Sequence, residues 1–251
     1  MWMGNRHAPY TFPPEGDRPN VTVWWQGYAA LTAALKWLAA KLKQAWTVWL
    51  TSHSAGGQAL LFNAERLLRL VPRGTRVAAF LNSPMWYLHS ITEGNMTGLY
   101  NPLIDGNMTW LYNLWDVAKT PRTACLQTEA ATPWKCMFPD VALQHWPPHV
   151  PLFLAQDFMD PLKFRGVVGT PAQRAAIQAE LLAITTPLNA SLFLCTCDPL
   201  CNHALLMQNG QGPVVNGMNG IHATKAWLRQ GGIRRVRYVD TCLSSSPASS
   251  V

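Results

Sequence analysis

Apolar and polar positions along the chain follow two different periods, and the two alternate. Residues 28–44, YAALTAALKWLAAKLKQ, place apolar side chains at helical spacing, and WTVWLT (46–51) then reads as a buried strand. Residues 57–71 return to the helical period with Leu60, Leu61, Leu67, Leu68 and Leu70, and RVAAFL (76–81) is again strand-like. After a long irregular stretch the alternation resumes. It runs as strand VPLFLAQ (150–156), helix 171–184, strand SLFLC (191–195), helix 219–230 and a short strand RVRYV (235–239). Strands separated by helices imply an α/β fold, a mostly parallel sheet covered by helices on both faces.

The irregular stretch, about residues 84–149, contains one short repeat, GNMTGLYN followed twelve residues later by GNMTWLYN. Two units are too few for a solenoid. Its Trp, Tyr, Pro and Met content fits an insertion or cap over the C-terminal edge of the sheet, where open α/β sheets bind ligands. Residues 1–243 are therefore expected to form a single domain carrying this cap, followed by a disordered SSSPASSV tail at 244–251.

Composition supports one large core, since 49% of the 251 residues are hydrophobic and 13% charged. The net charge of +7 is spread over modest clusters at Lys36, Lys41 and Lys43, at Arg66 to Arg76, and at Arg229 to Arg237. That spread suits an acidic substrate or surface and argues against a nucleic-acid partner. The longest apolar helical stretch is broken by Lys36 and is too short for a membrane span. The opening MWMGNRHAPY lacks the basic, apolar, small-residue order of a signal peptide. Four glycan acceptor sequons, at Asn20, Asn95, Asn107 and Asn189, and six cysteines point instead to a secreted protein whose leader is not in this chain. The cysteines, Cys125, Cys136, Cys195, Cys197, Cys201 and Cys242, are disulfide candidates.

Candidate chemistry centres on TSHSAGGQAL (51–60). A nucleophile elbow needs small residues two before and two after the serine, so that the chain turns sharply from strand to helix. Around Ser54 those positions hold Ser52 and Gly56, while Ala55 and Gly57 let the next helix approach the strand. The Ala55 N–H would then face a developing oxyanion at a helix N-terminus. In such a fold an acid and then a histidine follow the serine, each on a loop after a strand. Asp160, with Asp157 as its rival, follows VPLFLAQ, and His203 follows SLFLC.

Other readings compete. Ser54 could open an ordinary tightly packed helix, and Cys195, Cys197, Cys201 and His203 form a cluster of four potential metal ligands, though not in a common zinc spacing. Disulfides are the better reading of those cysteines, leaving no metal and no cofactor. His53, beside the serine, is expected to pack, and His145 and His149 to sit in a loop. Trp86, Tyr87, Trp110 and Trp115 fit the core of the insertion better than a pocket wall.

Several blocks together resemble the pectin acetylesterase and Notum family: SAGG followed by LLFNAERL, then CLQTEAATPWKCMFP, VPLFLAQDFMDPLKF, CNHALL and YVDTC. Upstream, WMGNRHAPYT and WWQGYAALTAAL are similar to the family's tyrosine-containing segment and the helix before its nucleophile, with Gln26 where an arginine is usual. The resemblance implies an α/β-hydrolase-like fold, a Ser54, Asp160, His203 triad with Ala55 as oxyanion donor, and a Cys125–Cys136 disulfide. It also implies a monomeric esterase acting on acetylated pectin in the cell wall, or alternatively on a lipid-acylated protein as Notum does.

The chain departs from the family at identifiable places. The glycine-rich loop that donates further oxyanion N–H groups is not in it, which reads as a missing N-terminal part or as a weak or inactive relative. Asn82 stands where the family has an acid, Pro84 where it has a glycine, and Thr11 where a cysteine is expected.

Overall fold

Two hexapeptides, LFLAQD and ASLFLC, have every residue buried, which only a strand covered on both faces can satisfy. They are β5 (Leu152–Asp157) and β6 (Ala190–Cys195). In the computed structural model, which describes residues 10–12, 20–24, 26–84, 108–119, 123–157, 171–188, 190–195, 213–232 and 234–239, they occupy the interior of a five-stranded sheet. Its order is β3 (Thr47–His53), β4 (Arg76–Asn82), β5, β6, β9 (Arg237–Val239), and every neighbouring pair is parallel. β3 is the outer strand among the described residues, and none of its residues is fully buried.

Side chains alternate across this sheet and feed two cores. Leu81, Leu152, Leu154, Leu192 and Leu194 point to one face, where they meet α2 (Ala55–Leu70), α5 (Pro139–Gln144) and α6 (Pro171–Thr185) through Leu60, Leu143, Ile177 and Leu181. Ala78, Phe153, Ala155 and Phe193 point to the other, against Ala223 and Trp227 of α7 (Gly220–Arg229). Trp227 is the anchor there, 5.3 Å from the Phe153 ring and 5.7 Å from the Trp49 ring. The expected parallel sheet with helices on both faces is what the chain forms.

Four short strands have no counterpart in the sequence reading. β1 (Tyr10–Phe12) pairs antiparallel with β2 (Val21–Val23), and β7 (Val214–Val215) with β8 (Met218–Asn219). Strands of two or three residues carry too little periodicity to be seen. α1 (Gly27–Leu42) was legible as a helix, but only Leu35 of it is buried, and it is tied to α2 by Arg66, which lies 4.0 Å over the Tyr28 ring and donates to the Thr32 hydroxyl.

The stretch expected to be irregular is largely helical where it is described. It contains α3 (Met108–Leu114), a 3-10 turn at Val117–Lys119, α4 (Ala124–Thr128), a second 3-10 turn at Pro133–Met137, and α5. These pieces are too short to display a period, which is why the sequence concealed them. They share a core of their own in which Met108, Trp115, Leu126 and Phe138 pack with Phe62 of α2. Trp115 and Tyr112 are buried in it, and Trp110 is 44% exposed. Burial, and next the charge of Asp116, raise the Tyr112 hydroxyl above its ordinary value. The Cys125–Cys136 disulfide closes the unit, and the Gln58 side-chain amide donates to the Met137 carbonyl, fixing it against the first turn of α2.

The segment after β4 comes closest to α2 at Gly57, where a β-carbon would lie 2.5 Å from Pro84 Cβ and 3.1 Å from Pro84 Cα. At Gly56 a β-carbon would meet nothing within 4 Å. Gly57→Ala is therefore expected to lower unfolding stability in urea by about 1–3 kcal/mol, and Gly56→Ala to leave it within about 0.5 kcal/mol. Equal effects of the two would contradict this packing. Replacing Cys125 and Cys136 together by Ala should lower stability by about 3 kcal/mol through loss of the short closed loop. An unchanged urea midpoint would show that the bridge does not constrain this helical unit.

Candidate active site at the C-terminal edge of the sheet

The strands end together on one edge, and the register fixes what stands there. His53 pairs with Asn82, Asn82 with Ala155, and Asp157 with Cys195. One residue past β3, Ser54 has φ 52° and ψ −129°, a left-handed conformation that costs a non-glycine residue about 1–3 kcal/mol. It is the junction between strand and helix, since α2 starts at Ala55.

Backbone contacts hold this turn from both sides. The Ser54 N–H donates to the Asn82 carbonyl at 2.9 Å, and the Ser54 carbonyl accepts from Gly57 N at 2.8 Å and more weakly from Gln58 N at 3.4 Å. The first is a bond to the end of the neighbouring strand, and the others open the helix. The N–H groups of Ala55 and Gly56 lie in the first turn of α2, where no intrahelical acceptor exists. They supply donors and the positive end of the helix dipole next to the Ser54 side chain.

The adjacent strand end is shaped in a similar way. Ser83, fully buried with φ 52°, donates its N–H to the Ala155 carbonyl at 2.8 Å, and its hydroxyl lies 3.3 Å from Asn82 Oδ1. Asn82 is thus a buried amide whose backbone supports the Ser54 turn, and Pro84 occupies the space opposite Gly57. Sequence reasoning noted both only as departures from a family pattern. The signal available in the sequence was the pairing of a bulky Pro84 with a side-chain-free Gly57.

Asp157 closes β5 at this same edge and is buried, while Gln156 donates its side-chain amide to the Asp157 carbonyl at 2.9 Å. His53 is half-buried at the last position of β3. Asp160 and His203 lie outside the described residues, as do Cys197, Cys201, Cys242, Asn95, Asn107, Asn189, Trp86, Tyr87 and the 244–251 tail. Asn20 is described and exposed, as a glycan acceptor must be.

Cys195, at the end of β6, is disulfide-bonded, which removes it from a metal-binding Cys/His cluster. Among the described residues no group of His, Cys, Asp and Glu could hold a metal ion. No helix among them is long and apolar enough to cross a membrane.

Beside the turn, a recess of about 250 Å³ lies between α1 and α2, lined by Leu31, Thr51, Ser52, Gly56, Ala59 and Leu60 among others. A larger cavity, about 660 Å³, opens at the opposite end of the sheet, where Leu152 and Ala190 begin their strands. Volume alone would place the site there. The strained serine, the free helix N–H groups and the convergent strand ends make the C-terminal edge the candidate site.

Comparison with known proteins gives the family and the fold. The pectinacetylesterase family model matches residues 8–182. Two crystal structures of the Wnt deacylase Notum from Drosophila share the fold. One superposes with a TM-score of 0.68 at 19% identity over 98% of this chain and 71% of that one, the other with 0.63 at 17% over 88% and 67%. Among curated proteins no sequence matches. With a family match over more than half of its length, this chain belongs to the pectinacetylesterase family, whose members are carboxylic ester hydrolases.

Proposed function

We propose that the chain is a serine carboxylesterase that removes acetyl esters from a cell-wall polysaccharide such as pectin, with Ser54 as nucleophile. The observation that carries this reading is the Ser54 backbone at φ 52° and ψ −129°, a strained turn placed between a parallel strand and a helix. A serine that merely began a helix would adopt an extended cap conformation with a side-chain hydrogen bond, as Thr123 does where it accepts from Leu126 N. Ser54 makes no such cap.

In the mechanism that follows, His203 takes the proton from Ser54 Oγ as the oxygen attacks the ester carbonyl. The carbonyl oxygen becomes an oxyanion, which the Ala55 N–H and the α2 N-terminus stabilise. As the bond from the carbonyl carbon to the sugar oxygen breaks, His203 gives the proton to that departing oxygen, leaving acetyl-Ser54. Water, deprotonated by His203, releases acetate and restores the serine. Asp160 orients His203 and stabilises its imidazolium. Asp157 remains its rival, being buried at the end of β5 three residues earlier.

The basic balance of +7 suits a polygalacturonate backbone, and the Cys125–Cys136 disulfide suits an extracellular setting. The fold shared with a Wnt deacylase favours a second reading, removal of a long acyl group from a protein. The two differ in the acyl length the site accepts.

Hydrolysis of p-nitrophenyl acetate and p-nitrophenyl octanoate tests the chemistry and separates the readings. Ser54→Ala should lower kcat/KM by about a thousandfold or more, and equal rates in the two proteins would remove Ser54 from the reaction. A preference for acetate supports the polysaccharide esterase, and a preference for octanoate the deacylase. Asp160→Asn should cost on the order of 10³ to 10⁴ in kcat and Asp157→Asn less than about tenfold. The reverse order would assign the acid to Asp157.

A further inference from the structure

Because the strands of the five-stranded sheet are all parallel, every helix-to-strand connection reaches it at the edge opposite Ser54. The connections are KQAW (43–46), VPRGT (71–75), HWPPHVP (145–151), TPLN (186–189) and QGGIRRV (230–236), and none of them contains an Asp or Glu. They carry Lys43, Arg73, Arg234 and Arg235, while Arg76 and Arg237 open the strands that follow, and all of these are exposed. Helix dipoles account for Lys41, Arg69 and Arg229, which lie in last turns. They do not account for the arginines beyond the helix ends. Of all these basic groups only Arg69 is ion-paired among the described residues, with Glu65. Unpaired charge of one sign gathered on one edge attracts a polyanion.

Between the starts of β4 and β5 the same edge is indented by a groove of about 440 Å³. Arg73, Arg76 and His149 are among the residues that line it, and no acid is. Arg76 is held in place by donating to the Gln230 and Gly231 carbonyls. Arg73 has no hydrogen-bond partner among the described residues, so its planar fork is open to a carboxylate. A ring stands on this edge too, since Trp46, the last residue of the first connection, is 91% exposed. The apolar C–H face of a pyranose can stack on such a ring while its carboxylate pairs with a guanidinium. From β3 to β9 the edge spans four strand spacings, about 19 Å, which a single sugar does not cover and a short polymer does.

We infer that this edge binds an acidic polysaccharide chain of the polygalacturonate type, with one carboxylate in the groove on Arg73 and Arg76, others on the Arg234 to Arg237 segment, and a sugar face on Trp46. No bond is made or broken there. The edge tethers the polymer at the end of the strands away from Ser54. The identity of the polymer rests on the polysaccharide reading above, while the binding itself does not require Ser54 to be the nucleophile. The Cys125–Cys136 disulfide favours an oxidising setting, where a polysaccharide rather than a nucleic acid is the polyanion to be met.

Isothermal titration of the full chain with decagalacturonate tests the assignment, with its fully methyl-esterified form as the neutral control. The acid should bind about tenfold or more tightly than the ester and weaken steeply with added salt. Arg73→Glu combined with Arg234→Glu should weaken it by about tenfold or more, and the milder pair Arg73→Gln with Arg234→Gln by a smaller factor. Lys36→Glu combined with Lys135→Glu removes as much charge away from this edge and should change affinity by less than about twofold. Trp46→Ala should weaken the acid by about fivefold. Retained affinity in the Arg73, Arg234 variants would overturn the site, as would an equal loss in the Lys36, Lys135 variant. Unchanged affinity in Trp46→Ala, or tighter binding of an oligothymidylate of equal charge or of phosphatidylserine vesicles, would overturn the polysaccharide as its ligand. Ser54→Ala should bind decagalacturonate as the wild type does, so that failure of the esterase assay and failure of this binding are separate results; a loss there would locate the polymer at the elbow and overturn the edge.

Discussion

The bond from Ser54 N–H to the Asn82 carbonyl constrains much of what surrounds it. It can form only if β3 and β4 are parallel and in register to their last residues, and it holds a serine in a backbone conformation that costs about 1–3 kcal/mol in isolation. That cost is offset by the surrounding fold. α2 starts in the next residue, Gly57 accepts the close approach of Pro84, and Gln58 in the same turn reaches out to the Met137 carbonyl. The absence of a side chain is required at Gly57, and TSHSAGGQAL supplies it.

The helix that begins there also joins the two apolar units. Leu60, Leu61 and Ala64 of α2 belong to the core under the sheet, while Phe62 belongs to the core of the inserted helical unit. Helical periodicity therefore connects the orientation of the serine to both packing units, and displacement of either would move the first turn of α2. On the opposite face of the sheet, the Trp227 stack on Phe153 and Trp49 fixes the same strands independently. Clamping on both faces would hold the proposed nucleophile and its N–H donors in a fixed relation.

The sheet was legible because its strands are nearly pure apolar runs flanked by helices of several turns, and a fully buried parallel strand can hardly be written otherwise. LFLAQD and ASLFLC state this most clearly. The elbow was legible from residue size alone, through Ser52, Ala55, Gly56 and Gly57. The helical insertion was not, because helices of five to seven residues such as Ala124–Thr128 and Met108–Leu114 contain less than two turns and take their stability from tertiary contacts and the disulfide. Asn82 and Pro84 were visible as letters without a role, since their importance is a contact across the turn that no local pattern encodes. Asp160 and His203 were read from their order after two strands, and that order remains what supports them.

An activated serine at a strained turn should be distinguishable from every other serine of the chain by its reactivity toward a fluorophosphonate. Intact-mass and peptide analysis after labelling is the most direct measurement of that claim. The account predicts one adduct per chain, on the peptide containing Ser54, absent when the protein is unfolded in urea before labelling. No adduct on the folded chain, or an adduct on a different serine, would contradict it.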